Sequence, residues 1–269
     1  MKRFDMGALA CIVVATGWLA SLSPGSLLAD ENPPAPGFNS EASDDEAIVI
    51  ADQVMEALGG RKAWDDTRYL TWNFFGRRRH VWDKDTGDIR VEGVRREDDK
   101  PYVILMNLHS MQGRAWIDGD EVTDPTQLAE LLDLGEAAWI NDSYWVFMPY
   151  KLKDSGVTLR YIGSGEMLDG RSAQILQLTF EAVGRTPENR YLVYVADDSG
   201  LVEQWDFFEN AEDVEPGFQV PWHNWRRYGE IMLSDNRGKN SHTDIAVLDT
   251  LPEGVLTRPD TVDWEALVD

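Results

Sequence analysis

The residues best suited to chemistry in this chain are its four histidines, His80, His109, His223 and His242, set among 48 aspartates and glutamates. His242-Thr243-Asp244 places an imidazole and a carboxylate on one face of an extended strand, where both could reach one cation. A metal site recruits three or four such ligands. No other histidine has an acid at a recognisable spacing, so no metal is expected. His80, ahead of Val81-Trp82-Asp83, reads as a strand-face residue. Glycine-rich phosphate loops, Gly-x-Ser-x-Gly elbows and His-Glu-x-x-His helices are all missing from the sequence. With so many carboxylates, close pairs arise from composition alone, and none is singled out as a glycosidase dyad. No catalytic residue and no cofactor is expected.

Two clusters remain. Arg77-Arg78-Arg79 is the one basic run, and strand alternation sends Arg77 and Arg79 to one face and Arg78 to the other. Pairing with nearby acids is the favoured reading. Trp222-His223-Asn224-Trp225-Arg226-Arg227 is dense enough to line a site, and equally suits an aromatic strand entry with an arginine stacked on tryptophan. The net charge of −23 sets a field that repels nucleic acid and anionic lipid head groups, and also serves solubility.

These residues sit in an exported chain. Lys2 and Arg3 precede an uncharged, small or apolar run from Gly7 to Ala20, and Leu27-Leu28-Ala29 closes the segment. That is the layout of a cleavable signal peptide over residues 1–29, cut after Ala29, and the run is too short to span a bilayer. Ala8-Leu9-Ala10-Cys11 looks like a lipidation box but lies near the start of the apolar run, so Cys11 leaves with the leader. The remainder has no cysteine and no disulfide. Periplasm or secretion is the expected destination.

Residues 30–42, with Pro33-Pro34-Ala35-Pro36-Gly37, read as a disordered tether. Ser43-Asp44-Asp45-Glu46 reads as a capping box, followed by helical spacing of Ala47, Ile48, Ala51, Val54, Met55 and Leu58 up to Gly59-Gly60. From Tyr69 the period becomes two, as in Leu70, Trp72 and Phe74. Short Gly and Asp turns join the successive strand candidates, through Arg171–Glu181, Tyr191–Ala196 and Leu201–Phe208 to Trp225–Ser234 and Asp244–Asp249. Pro125 to Ala138 reads as a second helix. The class is α+β, one domain over residues 43–258 and a tail over 259–269, built on one large antiparallel sheet that includes Tyr69–Phe75, Arg171–Glu181, Tyr191–Ala196 and Leu201–Phe208.

The segment Tyr144-Trp145-Val146-Phe147-Met148-Pro149-Tyr150-Lys151-Leu152-Lys153 resembles the central signature of a family of uncharacterised exported bacterial proteins, itself similar to the outer-membrane lipoprotein-sorting carriers of the LolA/LolB type. The flanks Ala57-Leu58-Gly59-Gly60, Arg190-Tyr191-Leu192-Val193-Tyr194-Val195 and Ser199-Gly200-Leu201-Val202-Glu203-Gln204-Trp205 resemble it in the same order. The resemblance implies an open half-barrel, a curved antiparallel sheet whose concave face is covered by helices, and a non-catalytic role in binding a lipid or the acyl chains of a lipoprotein. No carrier residue transfers position by position. Alternation and position in the matched segments nominate Leu70, Trp72, Phe74, Trp116, Trp145, Phe147, Leu176, Leu178, Tyr194 and Trp205 as the lining of an apolar cavity. The alternatives are an envelope interaction module without a cavity, and a carbohydrate-binding or carbohydrate-active protein using Trp222 and Trp225.

Overall fold

The computed structural model describes residues 31–181 and 183–268. The expected leader and its cut after Ala29 lie outside the described residues. The segment after it is not a loose tether. Asn32 Nδ2 donates to Asp52 at 2.8 Å, the Ala35 amide to the Lys153 carbonyl at 3.0 Å, and the Asn39 amide to the Val157 carbonyl at 3.1 Å. Phe38 is buried in the main core. A proline-rich strip with few apolar residues can still dock when one aromatic anchor and an open strand edge receive it.

Helix α1 (Asp45–Ala57) buries Ala47, Ala51, Val54 and Met55 of the stripe that helical spacing predicts, with Ile50 buried in addition and Ile48 only partly so. The expected capping box is not formed. The Ser43 hydroxyl instead donates to the Asn39 carbonyl at 2.8 Å and accepts the Leu159 amide at 3.0 Å, while the Asp44 carboxylate accepts the Tyr161 amide at 3.0 Å. The helix start is thereby tied to a strand edge. Gly59, at φ 113°, ends it in a conformation that side chains resist. A short helix, α2 (Arg61–Asp66), follows.

Six strands come next: β1 (Tyr69–Phe74), β2 (Arg78–Asp83), β3 (Asp88–Val94), β4 (Pro101–Asn107), β5 (Gly113–Ile117) and β6 (Asp120–Glu121). Helix α3 (Pro125–Phe147) is capped by the Asp124 carboxylate, which accepts the Gln127 amide at 2.9 Å. Nine strands follow: β7 (Val157–Glu166), β8 (Ser172–Phe180), β9 (Arg190–Ala196), β10 (Val202–Phe208), β11 (Phe218–Pro221), β12 (His223–Tyr228), β13 (Ile231–Arg237), β14 (Asn240–Ser241) and β15 (Thr243–Leu248). A last short helix is α4 (Trp264–Val268).

The α+β class with antiparallel pairing is as expected, but the strands divide into three ladders. Their orders are β15-β1-β2-β3-β4-β5-β6, β11-β10-β9-β8-β7 and β12-β13-β14. β8, β9 and β10 are neighbours, whereas β1 belongs to the first ladder, its free edge taken by β15 with Leu70 opposite Val247. Alternation marks strands and faces, and says nothing of a partner so distant in sequence. The expected single strand Trp225–Ser234 is the hairpin β12–β13, turned at Gly229 with φ 57°.

Helix α3 runs nine residues past Ala138 because its later turns are held by tertiary contacts. It packs on the first sheet at Gly135, where a Cβ would meet Met106 Sδ at 2.9 Å and Ile104 Cγ2 at 3.0 Å. The opposite face of that sheet carries the C-terminal segment. Val255, Trp264 and Leu267 bury Val81, and the fully buried Arg90 donates to the carbonyls of Val255, Arg258 and Asp260 at 2.9, 2.8 and 2.7 Å. The expected tail is part of the fold. Among the described residues, no helix is long and apolar enough to cross a membrane.

Candidate functional site

Helix α3 presents two different surfaces. Towards the first sheet it buries Asp142, which accepts Arg78 Nε at 2.6 Å and Nη2 at 2.7 Å, and His80 Nε2 at 2.7 Å. His80 lies flat on Trp72, centroids 4.5 Å apart. Burial raises the Asp142 carboxyl, but the bonds from Arg78 and His80 outweigh it and hold the group below its ordinary range. Burial lowers His80, so the imidazole is neutral and gives its Nε2 proton to Asp142. Nδ1 has no partner. An Asp–His pair of this kind can orient a base, but both side chains are fully buried. It pins helix to sheet.

Towards the second sheet, the same helix leaves a cleft of about 400 Å³. Its aromatic wall comes from the last turns of α3 (Tyr144, Trp145), the end of β8 (Phe180) and the start of β9 (Tyr191). Tyr144 lies 5.5 Å from Tyr191 and 6.3 Å from Phe180, and Trp145 stands edge-on to Trp205 at 4.8 Å. Polar groups sit at the rim. Arg185 joins Asp133 and Glu136, both at 2.6 Å, and Lys151 joins Asp154 at 3.1 Å. Two buried donors in the lining have no partner, the Tyr144 hydroxyl and Trp139 Nε1. Burial, with Tyr191 and Asp154 nearby, pushes the Tyr144 hydroxyl well above its ordinary pKa. Its proton is therefore kept. A concave aromatic surface with a few fixed polar groups is suited to holding an apolar body.

Of the ten nominated residues, Trp145 alone lines this cleft. Leu70, Trp72, Phe74, Phe147, Leu176, Leu178 and Trp205 are brought together, but in the closed main core. Trp116 stands opposite Val103 under the Arg114 guanidinium, outside that core. Tyr194 belongs to the small cluster of Met167, Ala173 and Ala196 on the other face of the second sheet, and its hydroxyl donates to Asp206 at 2.9 Å. Tyr191 takes the inward position because Leu178 and Trp205's partner Val193 share its parity. Tyr191-Leu192-Val193-Tyr194 is continuously apolar or aromatic, so alternation could not choose between its two faces.

The other clusters have structural uses. Trp222 is fully buried, with the Arg237 guanidinium 3.5 Å from its ring centre, and Trp225 Nε1 donates to the Val202 carbonyl at 3.0 Å. An arginine does stack on tryptophan, though from β13. Arg237, which has no carboxylate partner, also donates to the Trp145 carbonyl at 2.7 Å, closing the end of α3 where the helix dipole favours a cation. His242 is stacked on Phe75 at 4.4 Å, while Asp244 accepts Arg79 at 3.0 Å and Asn73 at 3.2 Å. Among the described residues no group of three potential metal ligands gathers.

Comparison with protein-family models and with curated proteins finds no match. Among solved structures the chain is similar to a DUF1329 family protein from Desulfovibrio piger, at 12% identity and a TM-score of 0.42, over 78% of this chain and 96% of that one. It is also similar to an uncharacterised conserved protein from Thermus thermophilus (11%, TM-score 0.27, 79% and 93%) and to the Pseudomonas aeruginosa MucA/MucB complex (15%, TM-score 0.24, 76% and 67%). The fold given above rests on the chain's own strand pairing.

Proposed function

We propose that this chain is a non-catalytic envelope protein, periplasmic or secreted, that holds an apolar ligand such as a lipid or a lipoprotein acyl chain in the cleft between α3 and the second sheet. The observation that carries the reading is the aromatic cleft itself: about 400 Å³, walled by Tyr144, Trp145, Phe180 and Tyr191. That volume lies within the range of small-ligand sites. The sequence resemblance to lipoprotein-sorting carriers and the expected signal peptide support the same reading. Of the two tryptophans named for the carbohydrate alternative, Trp222 is fully buried and Trp225 half-buried, which supports it less than the aromatic cleft supports an apolar ligand.

The test is binding of an apolar naphthalene dye to the protein lacking residues 1–29. Affinity is expected near micromolar, about −8 kcal/mol. Ala137→Trp places a bulky ring in the cleft lining and is expected to weaken binding by about tenfold, about 1.4 kcal/mol. Trp116→Phe, outside the main core, is expected to leave it unchanged. Dye binding indifferent to Ala137→Trp, or no binding to the folded protein, would leave the interaction module as the better description.

A further inference from the structure

Arg77, Arg78, Arg79 and Arg90 all line one cleft of about 410 Å³ at the end of the first sheet, with Glu92 the one acid among its lining residues. This convergence stands out in a chain with 25 basic against 48 acidic residues. It arises from the turn after β1. Gly76 and Arg77 round the sheet end, and Gly93, opposite Arg78, brings no side chain of its own to the wall.

The four guanidinium groups are not equally committed. Arg90 is used up by Glu92 and the C-terminal carbonyls. Arg78 gives Nε and Nη2 to Asp142, and Arg79 gives Nε to Asp244 while lying over the Trp264 ring at 5.3 Å. Nη1 of Arg78 and both terminal nitrogens of Arg79 make no hydrogen bond within the described residues, and the exposed Arg77 side chain makes none at all and no ion pair. Even with Glu92, Asp142 and Asp244 set against them, the four arginines leave a local excess of positive charge. Arg78 reaches the cleft from the α3 side of the sheet end and Arg79 from the side of Trp264, with Arg77 in the turn between, so donors approach from more than one direction, which suits a tetrahedral oxyanion better than a flat carboxylate.

We propose that this cleft binds a phosphate-class oxyanion, either free phosphate or the phosphate of a zwitterionic lipid head group. The chain's negative field opposes the approach of anions, so contact is short-ranged, within about 8 Å at physiological salt. The adjoining lip carries Val94, 58% exposed, between the cleft and Arg95-Arg96, which gives a head group an apolar neighbour.

The experiment uses the protein lacking residues 1–29, titrated with inorganic phosphate by calorimetry at low salt and co-sedimented with phosphatidylcholine–phosphatidylethanolamine vesicles. The variants are Arg77→Gln and, as a charge-matched control on β12, Arg226→Gln. The exposed Arg77 side chain makes no hydrogen bond or ion pair among the described residues, so its loss should leave the melting temperature unchanged. Phosphate binding weakened about tenfold by Arg77→Gln and by less than about twofold in the control supports the site with free phosphate as its source. Vesicle binding lost selectively in Arg77→Gln supports the site with a head group as its source. Absence of binding in both arms, or equal loss in Arg77→Gln and the control, overturns the proposal. The outcome is independent of the dye test, because the two clefts share no lining residue.

Discussion

The two sides of α3 differ in how far the chain has filled them. On the first-sheet side the helix approaches so closely that Gly135 lies in contact distance of Ile104 and Met106, and Asp142 is fixed by Arg78 and His80. On the second-sheet side, Tyr144 is tilted against Tyr191 and stacked on Trp205, Trp145 stands edge-on to Trp205, and a cleft with two unpartnered donors in its wall remains. Both sides are rich in aromatic rings. What separates them is the buried ion pair and the close approach, because unpartnered polar atoms occur on both sides, His80 Nδ1 and Trp72 Nε1 on the first and the Tyr144 hydroxyl and Trp139 Nε1 on the second. A paired charge fixes one position of the helix, whereas rings around a gap fix none so strictly.

The contrast is most directly broken at Asp142. Asp142→Ala leaves the buried His80 and the half-buried Arg78 without their partner and is expected to destabilise by about 3 kcal/mol, read from the urea midpoint. If the loss is under about 1 kcal/mol, the ion pair does not pin the helix.

Acid should act on the closed core in the same direction. Burial lowers His80, and burial together with the Arg237 charge brings His242 down to about 3. Below pH 6.5 the unfolded chain takes up protons that the folded chain refuses, so stability falls as pH falls. For His242 the loss approaches about 1.4 kcal/mol per pH unit well below pH 6.5 and comes to about 1.6 kcal/mol between pH 6.5 and 5, and His80 acts in the same direction. The loss for His242 continues until its folded value near 3 is reached. His242→Phe should remove its share and flatten the profile. An unchanged slope would mean that His242 is protonated in the native state.

The smallest effect is expected in the open side, with the opposite sign. Tyr144→Phe deletes a buried hydroxyl that has no partner and should stabilise the ligand-free protein by about 1 kcal/mol. A loss of stability on thermal or urea unfolding would show that the hydroxyl is satisfied.

Several elements were legible before any coordinates. The stripe of α1 and its Gly59 stop, the period-two runs of β1, β8 and β10, and the common face of Leu176 and Leu178 follow from local spacing, because helix and strand repeats are set by backbone geometry alone. The pairing of Arg78 and Arg79 with acids also follows from composition, though Asp142 and Asp244 as the partners do not. The cleft was legible only through Trp145. Phe180, two residues on from Leu178 and so on the same strand face, was not taken for a wall, and Tyr191 was hidden in a run where both strand faces are apolar.

By itself, the sequence determined the α+β class, the antiparallel hairpins, the acidic character and the want of any catalytic motif. These depend on near neighbours in the chain or on totals. The tertiary structure alone decided that β15 closes onto β1, that residues 31–39 and 251–268 are anchored by Phe38 and Arg90, and that α3 is filled on one side and open on the other. Each of these is a meeting of residues far apart in sequence. Its outcome turns on ångström-scale fit between side chains, and no local period records that fit.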